Sequence, residues 1–287
     1  MTTLYEEVRA TLRESKFRPR KRLGQNFLIH ENVIESIVRL LDVGSQDEIV
    51  EIGPGLGFLT RRLLERAKGV WAVEIDAALV DRLRRSPLGS HPDFRLIHGD
   101  ILKVALENFL PPHKVKLAGN LPYSISTPVL FRLFQWREHF SFLVLMMQKE
   151  VADRITSDAG TKSYGTLAVW CQVHGRVTER LPVSPEAFFP KPKVKSTILK
   201  IELYPEPRIA VAELPLLRGL IRAAFGQRRK TLANVLANWL GIERNAIESL
   251  LRLEAIDPMR RGETLTVDEF LGLARALRAS PLLTTAA

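Results

Sequence analysis

The sequence predicts an α/β domain, a mostly parallel sheet with helices on both faces, followed by a small all-helical domain. Three observations carry this. From residue 48 short apolar runs recur, amphipathic segments separate them, and after Leu203 only helical spacing remains. Strands alternating with helices at this spacing build parallel sheets. The 287 residues suit about two domains. A hydrophobic fraction of 46% is ordinary for a globular protein and excludes a disordered or collagen-like chain.

EIVEIG (48–53) reads as a buried strand, and residues 58–66 as a helix with Leu59, Leu63 and Leu64 on one face. VWAVEI (70–75) is the next strand and residues 77–85 the next helix. FRLIHGD (94–100), VKLAGN (115–120) and FLVLMMQ (142–148) are three further strands with apolar centres. Ligands of such sheets bind outside the carboxyl ends of the strands. YPEPR (204–208) places two prolines in five residues and breaks any continuing element. Behind it come helical stripes: Leu216, Leu217, Leu220 and Ile221; Leu232, Val235, Leu236 and Trp239; Ile247, Leu250 and Leu251; Phe270, Leu271, Ala274 and Leu277. The expected domains are therefore 1–205, with a basic N-terminal arm, and 206–287. The terminal LLTTAA is expected to fray.

Composition excludes several classes. The longest apolar run, Phe142 to Met147, falls far short of the ~18 residues of a membrane helix. One cysteine, Cys171, excludes a disulfide framework and a Cys-rich zinc site. Its neighbours Val169, Trp170 and Val173 suggest a buried, inert thiol. The N-terminus has no apolar signal core, and Glu6, Glu7 and Glu14 argue against a transit peptide, so a cytoplasmic protein is expected. His30, His91, His98, His113, His139 and His174 are scattered, without metal-ligand spacing, and no metal is expected.

The formal net charge is +10. Residues 1–30 are the densest basic segment, with Arg18, Arg20, Lys21 and Arg22 almost consecutive. Lys191, Lys193 and Lys195 form a second cluster, and Arg228, Arg229 and Lys230 a third. Basic clusters in both halves suit a polyanion such as nucleic acid. On charge alone a solvated surface explains them equally well.

The strongest local feature is Glu51-Ile-Gly53-Pro-Gly55-Leu-Gly57, after the first strand and before a helix. Glycines let the backbone turn tightly and let a ligand approach the main chain. Glu74 ends the second strand, where a carboxylate can accept from both hydroxyls of a ribose, and Asp100 follows the third. A nicotinamide cofactor is the rival ligand, but its turn is the longer G-x-G-x-x-G with a pyrophosphate on the helix. A carboxylate at the loop entry, Glu51, repels pyrophosphate and attracts the amine or sulfonium of a methionine moiety. This favours S-adenosylmethionine over a dinucleotide, and over a tight turn with no ligand.

After the fourth strand comes Gly119-Asn120-Leu121-Pro122-Tyr123. An exocyclic purine amine is a poor nucleophile because its lone pair is delocalised into the ring. A site that methylates it must hold the amine with acceptors. An asparagine carbonyl and a backbone carbonyl suffice, with Pro122 fixing the backbone and Tyr123 offering a flat face to an extruded base. An ordinary turn would use the same residue types.

At these motifs the chain resembles the rRNA adenine N6-dimethyltransferases, most closely the small-subunit (16S) type, over nearly its whole length. Gly24-Gln25-Asn26-Phe27-Leu28, Glu51 to Gly57, Asn120 to Tyr123 and Phe188-Phe-Pro190-Lys-Pro192-Lys-Val194-Lys-Ser196 are similar to the family's N-terminal, cofactor, target-amine and late motifs. The resemblance implies a class I, Rossmann-like methyltransferase fold with a helical domain that binds RNA or the ribosome. It implies cofactor contacts at Asn26, Leu28, Gly53, Glu74, Asp100 and Asn120, beside Glu51, Gly55, Gly57, Ile75 and Ile101 of the same strand ends. It implies a target-base site of Asn120, Leu121, Pro122, Tyr123 and Phe188. Phe188 is expected to present its ring to a flipped base, with Phe189 as the buried anchor. The partner implied is 16S rRNA in the 30S subunit, met by a monomer.

The 23S rRNA methylases of macrolide resistance share the catalytic motifs. Phe225-Gly-Gln227-Arg228-Arg229-Lys230-Thr231-Leu232 and Arg260-Arg261-Gly-Glu263-Thr-Leu265 are similar to the 16S-type enzymes instead. A ribosome-assembly factor whose turnover is dispensable is a further alternative, which the intact Asn120 to Tyr123 disfavours.

Overall fold

Central strands of the α/β part are apolar on both faces, as strands covered by helices on each side must be. In the computed structural model, which describes residues 3–14, 17, 19–20 and 23–280, these segments form one seven-stranded sheet. Its strands are β1 (Glu48–Ile52), β2 (Gly69–Glu74), β3 (Phe94–His98), β4 (Val115–Asn120), β5 (Phe140–Gln148), β6 (Gly175–Val183) and β7 (Ser196–Leu203). The order is β3-β2-β1-β4-β5-β7-β6. Strands β1 to β5 pair in parallel, and β7 runs antiparallel to β5 with Leu143 opposite Ile201 and Leu145 opposite Leu199. The order reverses at β1 and β4, so the ends of β1, β2, β3 and β4 frame one crevice.

The sequence reading places β1 to β5 within two residues but not β6 or β7. β6, GRVTERLPV, is an edge strand with a mostly exposed middle and an internal proline, so it lacks the buried alternation that identifies a strand. A two-residue antiparallel pair, Phe27–Leu28 with Phe188–Phe189, was also not legible, because two residues carry no period.

The helices are α1 (Leu4–Glu14), α2 (Glu31–Leu41), α3 (Phe58–Leu64), α4 (Ala77–Arg85), α5 (Ser126–Gln135), α6 (Lys149–Ile155), α7 (Thr166–His174), α8 (Leu214–Gly226), α9 (Leu232–Leu240), α10 (Arg244–Leu253) and α11 (Val267–Ala279). α2 buries Ile34, Ile37, Val38, Leu40 and Leu41 in the core that holds Ile49, Leu63, Val70 and Ile198. Its outer face pairs Glu35 with Arg62 of α3 (3.5 Å) and with Arg66 in the turn after it (3.0 Å). α1 turns Val8 and Leu12 onto Phe27, Leu56 and Leu79.

The chain divides into two compact units, Met1–Ala152 with Val177–Leu203, and Asp153–Arg176 with Tyr204–Ala287. Residues 153–176 thus stand in the second unit, not in a first domain running from 1 to 205. The reason is α7, which buries Leu167, Ala168, Val169, Trp170, Cys171 and Val173 and packs on α8 and α11. Tyr164 sets its ring edge-on to Phe225 at 5.6 Å, and Phe225 lies 5.8 Å from Phe270. Trp239 fills the space that a side chain at Gly219 would need. Burial pushes the Cys171 thiol up to about 12, so it stays protonated and unreactive. Arg18, Lys21, Arg22 and residues 281–287 lie outside the described residues. Among the described residues no helix is long and apolar enough to cross a membrane, and no His/Cys/Asp/Glu cluster is placed to hold a metal ion.

Candidate active site

The turn from β1 to α3 must reverse direction within five residues. Gly53 (φ 70°) and Gly57 (φ 86°) take the left-handed backbone that this requires. A Cβ on Gly53 would meet nothing within 4 Å, because this residue faces the open crevice. A Cβ on Gly57 would strike Leu83 and Leu88 at under 3 Å. Gly57 precedes α3 and packs against its neighbours; it does not line the crevice.

A cavity of ≈ 130 Å³ opens above these strand ends. Asn26, Leu28, Glu51, Gly53, Gly55, Glu74, Ile75, Asp100, Ile101, Asn120 and Pro122 all line it. The fold therefore brings together every expected cofactor residue except Gly57. Ile75 is 47% exposed there, an apolar side chain left open to a ligand.

Three carboxylates approach the cavity from successive strands. Glu51 is buried and accepts from Thr60 Oγ1 at 2.6 Å. Burial pushes its carboxyl up to about 7; the Thr60 hydrogen bond opposes this and the Glu74 charge adds to it. Glu74 spans two backbone donors, Asp76 N–H on Oε1 (2.9 Å) and Gly55 N–H on Oε2 (3.2 Å). Burial raises its pKa, these N–H groups hold it down, and Asp76 raises it further. Asp100 Oδ1 accepts from Leu102 N–H at 2.9 Å, which closes the turn after β3.

At the end of β4, Asn120 Nδ2 donates to the Asn26 carbonyl at 3.1 Å. Asn26 Nδ2 in turn donates to the Gly24 carbonyl at 3.0 Å. A carbonyl can face only the amide nitrogen of Asn120, so Oδ1 is the atom left for another donor. Leu121 is buried and its N–H donates to Met146 O at 2.9 Å, fixing the peptide. Tyr123 Oη lies 2.8 Å from Ser196 Oγ, and burial raises the phenol pKa.

Phe188 is not where the sequence reading puts it. It is 2% exposed, pairs with Leu28, and belongs to the core with Ile34 and Ile198. Phe189, expected as the anchor, is the partly exposed ring, edge-on to Tyr5 at 6.5 Å. Successive residues of an extended strand point to opposite faces, so the pairing with Phe27–Leu28 decides which ring is buried. Thr60 was missed because a threonine on a helix carries no periodic signal. Asp76 was missed because its links to Arg20 and Gln25, unlike those to Glu74 and Ala78, join residues far apart in sequence.

A family model described as ribosomal RNA adenine dimethylase matches residues 16–274. The chain belongs to that family. It is similar to the ribosomal RNA small subunit methyltransferase A of Geobacter metallireducens, with 44% identity over 272 residues covering 93% of this chain and 98% of the relative. The Geobacter sulfurreducens protein of the same name is 45% identical over 275 residues, covering 94% and 99%. Among solved structures, a dimethyladenosine transferase from Plasmodium falciparum superposes with TM-score 0.75 at 26% identity, over 86% of this chain and 95% of that one. The 23S rRNA methyltransferase ErmE superposes with TM-score 0.66 at 24% identity, over 88% and 100%, a likeness of fold. This dimethylase is thus an enzyme of the class I methyltransferase fold, and its family implies S-adenosylmethionine as methyl donor.

Proposed function

We propose that this dimethylase transfers two methyl groups to the N6 amine of each of two adjacent adenosines near the 3′ end of 16S rRNA, on the small ribosomal subunit, in the cytoplasm and as a monomer. The small-subunit target rests on the relatives' name and on their coverage, which is nearly end to end. The observation that supports the chemistry is the fixed Asn120 amide, with Nδ2 spent on Asn26 and Oδ1 left as acceptor.

The cavity suits the cofactor by its donor set: an open Gly53 backbone, the Glu74 carboxylate for ribose hydroxyls, Asp100 for an adenine amine, and Ile75 and Ile101 for the ring. Glu51 supplies a negative charge toward a methionine ammonium. When bound, S-adenosylmethionine supplies an electrophilic methyl group. Asn120 Oδ1 and the Leu121 carbonyl accept the hydrogens of the target amine and aim its lone pair. No base is needed before attack, because the amine proton becomes acidic only on the quaternised nitrogen. The chain contributes positioning, which is worth several powers of ten. Tyr123 offers a face to the base, and a monomethylated amine must rotate beside it for the second transfer.

The test is methyl transfer from labelled cofactor to small subunits lacking the modification, with products mapped by mass spectrometry. Dimethyladenosine at two adjacent adenosines is expected, and Asn120→Ala should abolish it while subunit binding persists. Near-parental dimethylation by Asn120→Ala in a single turnover would defeat the mechanism. Labelling of the large subunit alone would defeat the target.

A further inference from the structure

Gln25 lies in the N-terminal motif but lacks a role in the site so far described. Its amide joins two distant parts of the chain. Nε2 donates to Asp76 Oδ2 at 2.8 Å, and Oε1 accepts from the Arg20 N–H at 2.7 Å. Reversing the amide would break both bonds, so its orientation is fixed.

Asp76 is 1% exposed, and both its carboxylate oxygens and its N–H have partners. Oδ1 accepts from Ala78 N–H at 3.0 Å, capping α4, and pairs with the Arg20 guanidinium at 3.2 Å. Its own N–H holds Glu74 Oε1 at 2.9 Å. A continuous path therefore runs from Arg20 through Gln25 and Asp76 to Glu74 and Gly55. One residue beyond Gln25, the Asn26 carbonyl holds Asn120. The step from Gln25 to Asn26 ties the N-terminal segment to the cofactor acid on one side and to the target-amine asparagine on the other.

We infer that Gln25 and Asp76 are positioning residues which clamp Arg20 and residues 23–28 to the carboxyl end of β2, so that cofactor binding and this clamp favour each other. The inference rests on the cofactor site proposed above, with Glu74 as its ribose acceptor. A ligand that engages Glu74 favours the Glu74 and Asp76 geometry shown here, and that geometry is the one that receives Gln25. Linkage makes the coupling reciprocal.

The 287-residue chain tests this with S-adenosylhomocysteine as probe, using calorimetry and hydrogen exchange over residues 23–28. Gln25→Glu sets a second carboxylate against Asp76 and should weaken binding at least tenfold. The exchanged pair Gln25→Glu/Asp76→Asn restores one donor and one charge across the contact, and should return affinity to within about threefold of the parent. Ligand should slow exchange over residues 23–28 in the parent and in the exchanged pair, and not in Gln25→Glu. Thermal unfolding without ligand checks that each variant is folded; a general loss of fold would not be rescued by the pair. Parental affinity and ligand-induced protection in Gln25→Glu, or no rescue by the folded pair, overturns the clamp. Glu74→Ala separates the two levels. Parental affinity in that variant overturns the cofactor site, whereas weakened Glu74→Ala beside parental Gln25→Glu overturns only the clamp.

Discussion

Tyr123 Oη and Ser196 Oγ lie 2.8 Å apart, joining the residue that closes the target-amine motif to the one that closes the late motif 73 positions away. Ser196 is 1% exposed and opens β7 beside β5. The bond anchors the end of the Tyr123 side chain, whose ring face is proposed to meet the target base. Ser196→Ala should cost about 1–3 kcal/mol, because it leaves the half-buried phenol short of a partner. Tyr123→Phe should cost less, and the double variant should cost less than the sum of the two. Urea unfolding of the four proteins measures this, and additive costs would show that the pair is not coupled.

The acid of β2 gives the most direct test of the cofactor site. Glu74→Ala should lose charge-assisted hydrogen bonds to ribose hydroxyls, each ~1.5–3 kcal/mol, and so weaken cofactor binding by at least about tenfold. Calorimetry on a variant with native circular dichroism decides it.

Glu51 predicts a pH dependence of definite sign. Its carboxyl is raised from 4.5 to about 7, mainly by burial. The folded state therefore holds a proton that the unfolded state releases between these values. The stability this gives is complete below pH 4.5 and is lost as pH rises to about 7. Glu51→Gln, which keeps the neutral shape, should remove that loss, worth up to about 3 kcal/mol by pH 8. A cationic cofactor prefers the ionised Glu51, so its affinity should rise between pH 6 and 8, with proton release. Glu51→Gln should flatten that rise. Calorimetry in two buffers of different ionisation enthalpy reads the released proton directly.

Phe188 and Phe189 should respond unequally. Phe188→Ala removes a core ring and should cost about 3–5 kcal/mol of stability. Phe189→Ala trims a partly exposed ring that packs beside Val8, Leu12 and Phe27, and should cost less. Unfolding midpoints separate the two, and equal losses would show that the strand pairing does not decide which ring is the core one.

Arg228, Arg229 and Lys230 are all exposed, but the Arg228 guanidinium donates to the Tyr164 carbonyl at 3.1 Å. Arg228 therefore has a structural role that Arg229 and Lys230 need not share. Removing Arg229 and Lys230 together should lower the salt slope of RNA binding by ~0.7–0.9 for each phosphate no longer neutralised. Cofactor affinity should stay unchanged. A parental salt slope would take the cluster out of the RNA interface.

Local pattern alone determined the five parallel strands, the helices that follow β1 and β2, and the helical character of the C-terminal part. Each is a run of apolar residues at its own period, and a period is a property of neighbours in sequence. The site was legible for a related reason. Gly53, Glu74, Asp100 and Asn120 stand at strand ends, and a parallel sheet must bring its strand ends together. Tertiary structure alone decided the rest. Which of Phe188 and Phe189 is buried depends on pairing with Phe27–Leu28, some 160 residues earlier. The placing of residues 153–176 depends on α7, whose apolar residues cover its whole circumference and so reveal no preferred face. The partners of Glu51, Gln25, Asp76 and Tyr123 are single polar groups, and a hydrogen bond between distant residues leaves no periodic trace in either segment.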